Sequence, residues 1–481
     1  MIMAFSKEVE AFIKDFVNDL LENNVAIFSG AGMSIPAGFV SWPDLLREIA
    51  DELGLNVDKE HDLISLAQYH VNENRGRAKI NRKILGEFVE EAEETENHRI
   101  LARLPITTFW TTNYDTLIED SLKSANKIVD VKHDIKQLSI TRPKRDVVVY
   151  KMHGDVTHPA DAILTKEQYE SYHISHRPFV TALSGDLISK TFLFIGFSFT
   201  DPNLDYVLSR LNIQFGENTR QHYCFIKRKT KGAKEDEELH KYGVRKQELM
   251  INDLKRYKIK ALLIEDYTDI TSILKEIERR YRKKTVFISG SAEEYGTWDR
   301  NKAQSFIHQL SKKIVGSGFT IVNGFGWGVG SAVINGALEM IYERPDKHSE
   351  DQLIMRPFPQ FETGAKKLPE LWDEYRYKMI SLAGIGIFIF GNKKDKDGKL
   401  IDANGVKREF DIAVEKGLIP IPVGATGYVS KTISQEVLKD AEKYYPNYKE
   451  VIPVIEDLAD EELEPDAIIE KIIKIIQIIN K

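Results

Sequence analysis

The first half of the chain contains four short groups of glycine and polar residues that could together hold a ligand and act on it. They are residues 29–34 (SGAGMS), 111–115 (TTNYD), 152–155 (MHGD) and 196–201 (GFSFTD). Each group follows an apolar or β-branched run of the kind that forms a strand. The carboxyl ends of strands in an open α/β sheet lie along one edge, where such sheets bind ligands. We therefore expect the four groups to share one crevice.

The residue types in these groups suit a nucleotide and a proton transfer. Glycines in residues 30–34 let the backbone approach a phosphate, and the amides of the turn can donate to the anion. His153 can accept a proton near neutral pH. Taken singly, these residues also have ordinary interpretations: a tight turn at residues 30–32, a turn-forming Asn113, a satisfied buried His153 and a helix-capping Ser198. Their shared position at strand ends favours the site.

The second half of the chain has its own glycine-rich turns after strand-like runs. Gly290 and Ser291 follow residues 285–289, and residues 323–331 (NGFGWGVGS) follow residues 319–322. A turn this rich in glycine between a strand and a helix is typical of a phosphate or nucleotide cradle. The cradle glycines predicted here are Gly290, Gly324 and Gly326.

Three charged residues could complete this second site. Arg376, on a predicted helix, and Lys393, after the strand-like run 385–390, could neutralise phosphates. Glu409, at the head of another predicted helix, could hold ribose hydroxyls. For each of the three, a surface ion pair is the alternative interpretation.

Two series of strands alternating with helices must position these residues. The first series is predicted at residues 25–28, 107–112, 147–152, 192–195, 223–226 and 261–264, and the second at 285–289, 319–322, 353–355, 385–390 and 419–423. This alternation predicts an α/β protein with two doubly wound, Rossmann-like domains in tandem, each with a parallel sheet. We place the boundary in a basic run, giving domains at residues 1–283 and 284–481.

Helical additions are expected at both ends of the chain. Residues 6–22 predict an amphipathic helix with Ser6 as its N-cap. Residues 465–479 carry isoleucine around most of a helix, which must therefore be buried. Packing within the chain and packing at a subunit interface are both open for this helix.

Composition excludes several classes of protein. The chain has 481 residues, of which 42% are hydrophobic and 29% charged, as in ordinary globular proteins. Its net charge of −7 argues against a nucleic-acid partner. Cys224 is the only cysteine, so an internal disulfide and a cysteine zinc cluster are excluded, and no metal is predicted. No secretory pattern and no apolar run of membrane-spanning length is present, which predicts a cytoplasmic protein without a membrane partner.

The four groups of the first half resemble, in order, the motifs of the sirtuin family. Residues 30–34 resemble its phosphate loop, 112–115 its QN-I-D motif, 151–154 its catalytic-histidine motif and 196–198 its G-T-S motif. The resemblance implies that Asn113 orients the nicotinamide ribose and the nucleophile, and that His153 is the general base. It also implies that Asp115 meets the carboxamide. The cofactor-binding residues implied are Gly30, Ala31, Gly32, Ser34, Asp115, Gly196 and Ser198.

One departure from the sirtuins changes the expected reaction. Protein-deacylating sirtuins carry a zinc module with two Cys-x-x-Cys pairs, which a single cysteine cannot form. Water then replaces acyl-lysine as the expected acceptor, and the predicted activity is hydrolysis of NAD⁺ to nicotinamide and ADP-ribose. Nicotinamide leaves as a neutral amine, so the reaction needs no general acid, unlike glycoside hydrolysis. The alternatives are a protein deacylase or ADP-ribosyltransferase using NAD⁺ as co-substrate, and a non-catalytic NAD⁺ or ADP-ribose sensor.

The second half resembles the SLOG domains, which sense nucleotides. The P-G-G-x-G-T-x-x-E signature of their nucleotide-cleaving relatives is not intact, because the region reads Gly391, Asn392, Lys393 and later Gly405, Val406, Glu409. This favours binding over catalysis.

The tandem resembles the effector proteins of Thoeris anti-phage defence systems. That resemblance implies activation by a cyclic ADP-ribose isomer made by a TIR-domain partner protein, a homotetramer, and abortive infection through NAD⁺ depletion. The predicted effector-binding residues are Gly290, Ser291, Gly324, Gly326, Arg376, Lys393 and Glu409.

Overall fold

The computed structural model describes residues 5–88, 92–216, 218–232, 235–362, 364 and 366–481. The chain divides into two compact units, the first ending at Glu278 and the second beginning at Arg279. Each unit contains a parallel sheet with helices, which confirms the predicted α/β class.

The first unit is built on a sheet of seven parallel strands among the described residues. In chain order the strands are β1 (Val25–Ser29), β2 (Thr108–Thr111), β3 (Val129–Lys132), β4 (Val147–Lys151), β5 (Thr191–Ile195), β6 (His222–Lys227) and β7 (Ile259–Ile264). They lie in the order β3-β4-β2-β1-β5-β6-β7. Every residue of β1 and β5 is buried, as expected for parallel strands covered on both faces.

Strand β3 has no counterpart in the sequence prediction, because charged residues alternate with valine along it (VDVK). Asp130 and Lys132 are nevertheless buried. Lys132 Nζ lies 2.8 Å from Asp130 Oδ1. This ion pair explains how a charged segment can form the edge strand of the sheet.

The helices of the first unit surround this sheet. In the described ranges they are α1 (Lys7–Leu21), α2 (Trp42–Glu52), α3 (Leu63–Asn74), α4 (Ala78–Phe88), α5 (Glu96–Arg103), α6 (Leu117–Ser124), α7 (Lys166–Ser175), α8 (Arg177–Ser189), α9 (Pro202–Phe215), α10 (Glu237–Lys255) and α11 (Thr268–Arg282). The predicted N-cap of α1 is confirmed, since the Ser6 side chain accepts a hydrogen bond from Val9 N. The short helices α2 to α5 lie between β1 and β2 in the chain.

The second unit has a parallel sheet and a separate antiparallel hairpin. Its strands in the described residues are β8 (Thr285–Ser291), β9 (Thr320–Asn323), β10 (Leu353–Met355), β11 (Ile385–Phe390), β12 (Asn392–Lys394), β13 (Leu400–Asp402) and β14 (Ile419–Pro422). The parallel sheet has the order β10-β9-β8-β11-β14, and β12 pairs with β13. The hairpin is not predicted from the sequence, since each of its strands has only three residues.

The helices of the second unit complete the doubly wound arrangement. As described by the structure they are α12 (Arg300–Gly316), α13 (Gly330–Glu343), α14 (Leu368–Ile380), α15 (Asn404–Glu415), α16 (Tyr428–Lys439), α17 (Ala441–Tyr444), α18 (Ile452–Asp457) and α19 (Pro465–Ile479). The isoleucine-rich α19 packs against α12 in the core of this unit. The predicted burial is confirmed, and packing within the chain accounts for it. No helix of the described residues is both long and apolar enough to cross a membrane.

In each sheet the first strand of the unit lies inside the sheet, with the chain continuing to both sides of it. β1 lies between β2 and β5, and β8 lies between β9 and β11. Such a reversal of strand order opens a crevice outside the carboxyl ends of the central strands. The predicted site residues follow these strands.

Candidate functional site

The glycine turn after β1 lies directly against the turn after β5. Gly30 N donates to Ile195 O and Gly32 N donates to Gly196 O, both at 2.9 Å. A Cβ on Gly30 would lie 2.5 Å from Gly196 O, and one on Gly196 would lie 2.3 Å from Met33 N. Gly196 also has a φ of +65°. Only glycine fits at these two positions, so the two backbones can meet at the mouth of the crevice.

The segment after β2 brings Asn113 onto the same turn. Its Nδ2 donates to Gly30 O at 3.1 Å and to Ser34 Oγ at 2.9 Å. Its backbone N donates to Thr111 Oγ1 at 3.0 Å. Asn113 is 9% exposed, so its side chain is held in place while one edge stays accessible. The structure thus unites the first two predicted groups.

Asp115 lies beside them with one oxygen engaged. Oδ1 accepts from Leu117 N at 3.1 Å. Oδ2 is buried and has no hydrogen-bond partner among the described residues. Burial raises the pKa of Asp115, while the charge of Lys151 and the hydrogen bond from Leu117 N oppose that shift. The unengaged oxygen is a candidate acceptor for an amide donor of a ligand.

A small cavity marks the crevice at this point. Its volume is about 20 Å³, which is space for roughly one water molecule. Four predicted site residues line it, namely Ala31, Ser34, Asn113 and Asp115. Trp42 and Phe88 form part of its apolar side. A nucleotide needs far more space than this, so this part of the crevice would have to widen to admit one.

His153 follows β4 and is almost entirely enclosed, with 1% of its surface exposed. Its Nδ1 lies 3.4 Å from the Tyr169 hydroxyl. Its Nε2 lies 3.3 Å from Asp201 Oδ2, yet it has no hydrogen-bond partner within the described part of the chain. Burial lowers the pKa of His153, and Asp201 partly offsets this. The imidazole is therefore neutral at pH 7 and can accept a proton.

Ser198 is not drawn into the crevice with the other residues. Its hydroxyl is exposed and pairs with Thr200 Oγ1 at 2.8 Å. The N-cap of α9 is instead Asp201, whose Oδ1 accepts from Asn203 N and Leu204 N at 3.0 Å. Sequence reasoning missed the role of Asp201 beside His153, although its place in the group 196–201 was a signal.

The second unit contains a larger cavity of about 240 Å³ outside the carboxyl ends of β8, β9 and β11. This volume approaches the lower end of the range of ligand pockets, roughly 300 to 1,000 Å³. All seven predicted effector-binding residues line it: Gly290, Ser291, Gly324, Gly326, Arg376, Lys393 and Glu409. The glycine turns and the charged residues therefore form one site.

The glycines of this cavity are required by close backbone contacts. A Cβ on Gly326 would lie 2.0 Å from Gly290 O, and one on Gly290 would lie 2.8 Å from Ile389 O. Gly290 and Ser291, predicted to follow strand β8, are its last two residues, so the end of β8 touches the turn after β9. A larger residue at Gly326 would push that turn away from β8, and one at Gly290 would clash with Ile389 of β11.

The charged residues form a pair inside the cavity instead of a pair on the open surface. Arg376 Nε lies 3.5 Å from Glu409 Oε1, and Ser289 Oγ donates to Glu409 Oε2 at 2.6 Å. The Arg376 guanidinium lies 5.0 Å from the ring centroid of Phe358. Burial raises the pKa of Glu409, while Ser289 and Arg376 oppose the shift. Lys393 is exposed at the cavity wall.

One detail of the predicted second site is wrong. Glu409 does not stand at the head of its helix, because α15 begins at Asn404 and Glu409 lies in its second turn. The unpredicted hairpin of β12 and β13 ends shortly before α15, so the helix starts earlier than the polar sequence suggested. Glu409 still faces the cavity from this position.

Aromatic residues that were not predicted also line the second cavity. Trp327 is 73% exposed, and its Nε1 donates to Glu293 Oε2 at 2.8 Å. Phe358 contributes the ring beneath Arg376. Aromatic faces in a pocket of this size suit a planar base. The signal for Trp327 was its place inside the glycine-rich segment.

A metal centre is absent from the described ranges, in which no group of three or more His, Cys, Asp or Glu residues is arranged to bind an ion.

Comparison with known proteins matches both units to families. Residues 107–246 match the SIR2-like domain family, and residues 269–479 match the Sir2- and TIR-associating SLOG family. These matches confirm the expected tandem of a sirtuin-like domain followed by a SLOG domain.

Three curated relatives match along the whole chain. The NAD(+) hydrolase ThsA of Bacillus cereus (strain MSX-D12) is 51% identical over 480 residues, which cover 99% of this chain and 100% of the relative. The protein of the same name from Cytobacillus dafuensis is 48% identical, covering 98% of this chain and 97% of its own. That of Acinetobacter baumannii (strain 532279) is 46% identical, covering 99% and 100%.

Proposed function

The chain belongs to the family of NAD(+) hydrolases named ThsA, and from this premise we propose how its two units divide the work. Residues 1–283 form the domain that cleaves NAD⁺ to nicotinamide and ADP-ribose, with water as the acceptor. Residues 284–481 form a SLOG domain that binds a cyclic ADP-ribose isomer and thereby activates cleavage. The cleavage depletes NAD⁺ in the cytoplasm as an abortive response to phage.

The observation that carries the cleavage site is the meeting of Asn113 with the glycine turn that follows β1. The Asn113 amide is fixed by Gly30 O and Ser34 Oγ in the crevice where the central strands end. Gly30, Ala31, Gly32 and Gly196 provide the backbone surface for the phosphates, with Ser198 at its exposed rim. Asp115 Oδ2, buried and unengaged among the described residues, would accept from the nicotinamide carboxamide.

The reaction that we assign to these residues breaks the bond between the ribose and the nicotinamide nitrogen. The bonding electrons leave with nicotinamide, which becomes neutral, while positive charge develops on the ribose. Asn113 orients the ribose and the attacking nucleophile. His153, neutral because burial lowers its pKa, takes the proton that water loses as it bonds to the ribose. No general acid is required.

The observation that supports regulation is the contrast between the cavity beside Asn113, of about 20 Å³, and the cavity of the second unit, of about 240 Å³. In the second cavity, Arg376 and Lys393 would bind the phosphates of the signal and Glu409 its ribose hydroxyls. The cradle would be formed by Gly290, Ser291, Gly324 and Gly326. A signal that favours an open first crevice would activate the enzyme by no more than its difference in affinity for the two states.

We further assign two partners to the chain. A TIR-domain protein would supply the cyclic signal, and further copies of the chain would form a homotetramer through the first unit. Helix α10 supports self-association, because Leu254 is its only residue with a buried side chain in the described structure. Its exposed apolar residues are Leu239, Tyr242, Leu249 and Met250.

Incubation of the purified chain with NAD⁺ alone separates the proposed activity from its alternatives. We expect nicotinamide and ADP-ribose in equal amounts, released faster with a cyclic ADP-ribose isomer from a panel of linkages. A chelator should leave the rate unchanged. Strict dependence on an acyl-lysine peptide or a protein acceptor would favour a deacylase or a transferase. Binding of NAD⁺ with no release of nicotinamide under any condition would favour a sensor.

A further inference from the structure

Lys151 is a buried cation that none of the roles above uses. It is the last residue of β4, two positions before His153, and its side chain is fully buried. Its Nζ donates to Tyr114 O at 3.0 Å and to Asp115 O at 2.6 Å. It also lies 2.5 Å from Asp155 Oδ2 and 3.1 Å from Glu119 Oε1. One ammonium therefore has four oxygen partners.

These partners come from both segments that carry the cleavage residues. The carbonyls of Tyr114 and Asp115 directly follow Asn113, after β2. The carboxylate of Asp155 directly follows His153 and Gly154, after β4. The two segments meet again where Val156 N donates to Tyr114 O at 3.0 Å. Lys151 thus joins the chain that positions Asn113 to the chain that positions His153.

The charge of Lys151 also acts on the crevice. Burial alone would lower the pKa of Lys151, but Glu119, Asp155 and Asp115 outweigh it, so the net pKa is raised and the ammonium persists. In return, its charge lowers the pKa of Asp115 against the opposing effect of burial. A fully buried charge is unfavourable unless it is paired, and an apolar side chain could fill the same space. Lys151 is instead a paired charge, and its partners include the segments that carry Asn113 and His153.

We propose that Lys151 is a positioning residue of NAD⁺ cleavage: its ammonium holds the segments of Asn113 and His153 together and places a positive charge beside Asp115. This rests on the proposed function, since it assigns Asp115 to the nicotinamide carboxamide. Lys151 itself does not touch the reacting atoms.

Lys132 offers a matched control within the same sheet. It is also a buried lysine, paired with Asp130 at 2.8 Å on the edge strand β3. Its ammonium donates to the carbonyl of Ile140. Lys132→Met likewise removes a buried ammonium from the sheet without acting on the segments that carry Asn113 and His153, and Asp130 keeps Arg145 at 2.8 Å.

The test compares Lys151→Met, Lys151→Arg and Lys132→Met in the full chain, under the conditions in which the wild-type chain releases nicotinamide. Lys151→Met should lower kcat/KM for NAD⁺ by roughly tenfold to a hundredfold. Without the cation, the Asp115 carboxyl protonates at a higher pH. The acid limb of the pH profile should therefore move up by roughly one unit. Lys151→Arg keeps the charge and should keep the wild-type acid limb, even where its rate falls. Lys132→Met should match the wild type in both rate and profile.

A second variant covers the case in which Lys151→Met does not fold. Lys151→Met combined with Glu119→Gln removes the cation and one of its carboxylates, so fewer buried charges remain unpaired. It should show the same shifted acid limb. If a folded variant lacking the cation has the rate and profile of Lys132→Met, or if neither variant folds while Lys132→Met does, Lys151 is structural and the proposal fails. A wild-type chain that releases no nicotinamide would overturn the proposed function and this role with it.

Discussion

His153, the residue that we propose as the base, is enclosed by aromatic rings and a carboxylate. Its ring lies 5.2 Å from the ring of Tyr169 and 6.3 Å from that of Tyr172. Asp201 faces its Nε2. Burial keeps the imidazole neutral at pH 7, as a base requires, but also keeps water away from it. The imidazole of His153 is thus in the protonation state of a base, but the surrounding side chains separate it from solvent.

The first prediction concerns this base and the neighbouring amide. His153→Ala and Asn113→Ala should each lower NAD⁺ cleavage by roughly 10² to 10⁴, the contribution of a well-positioned acid or base. His173→Ala, which removes an exposed imidazole from α7, serves as the control and should cleave NAD⁺ at the wild-type rate. Nicotinamide release by the folded variants is the measurement. Near-normal turnover in His153→Ala would remove His153 from its assigned role.

The second prediction concerns Arg376 in the other unit. Arg376→Ala removes a charge-assisted contact to a phosphate, which is worth on the order of 1.5 to 3 kcal/mol, or roughly tenfold to a hundredfold in affinity. Cleavage should then require that much more of the activating cyclic ADP-ribose isomer, while the rate at saturation stays unchanged.

The control for Arg376 is Arg408→Ala. Arg408 donates to Asp373 at 2.8 Å and lies on α15, outside the residues that line the cavity. Titrations of activator against nicotinamide release should superimpose for this variant and the wild type. If the titration of Arg376→Ala also superimposes on them, Arg376 does not bind the signal.

At the scale of the elements, the contact between the turns that follow the central strands can be tested by substitution. The third prediction is that Gly30→Ala destabilises the first unit by about 1 to 3 kcal/mol and lowers cleavage, because the new Cβ would lie 2.5 Å from Gly196 O. Gly185→Ala is the control. It adds a methyl group on α8 that meets nothing within 4 Å beyond its immediate neighbours in the helix, and it should stabilise that helix by roughly 0.5 to 1 kcal/mol. Denaturant unfolding measures both, and equal stability of the two variants would contradict the proposed contact between the turns.

The strands could be predicted wherever a continuous apolar run made a parallel strand recognisable. Edge strand β3 and the hairpin of β12 and β13 could not, because charged residues alternate with valine along β3 and each hairpin strand has only three residues. The same limit applies within the sites. Asn113, for example, could be predicted from its position directly after a strand. Lys151 and Asp201 act through contacts that only the folded sheet creates.

At the scale of the whole molecule, acid should unfold the first unit through its buried histidines. Burial lowers the pKa of His98 to about 4 and that of His222 to about 4. In the unfolded chain both protonate near pH 6.5, so between pH 6.5 and 4 the unfolded state binds protons that the folded state does not. Stability therefore falls as the pH falls through this window. The fourth prediction is a loss of about 2 to 3 kcal/mol per histidine by pH 4.5.

The thiol of Cys224 can report the opening of the first unit alone. It is the single cysteine of the chain, it is buried, and burial raises its pKa to about 12. A dipyridyl disulfide, which reacts with thiols even in acid, should modify it only when this unit opens. His98→Gln and His222→Gln should each flatten the dependence of that opening on pH. An unchanged slope in both variants would show that other groups control the acid response.

The helix α19 lies deep in the core of the second unit, against α12, and this has a consequence for a chain that is still on the ribosome. About 200 residues, 279–481, must follow the first unit before that core can close. At roughly 5 to 20 residues per second, their translation takes on the order of 10 to 40 s. During this interval a nascent chain can carry a complete first unit without a complete second unit. If the second unit regulates cleavage as proposed, we expect the small size of the cavity beside Asn113 to be a property of the first unit itself, so that NAD⁺ is spared while the second unit is being made.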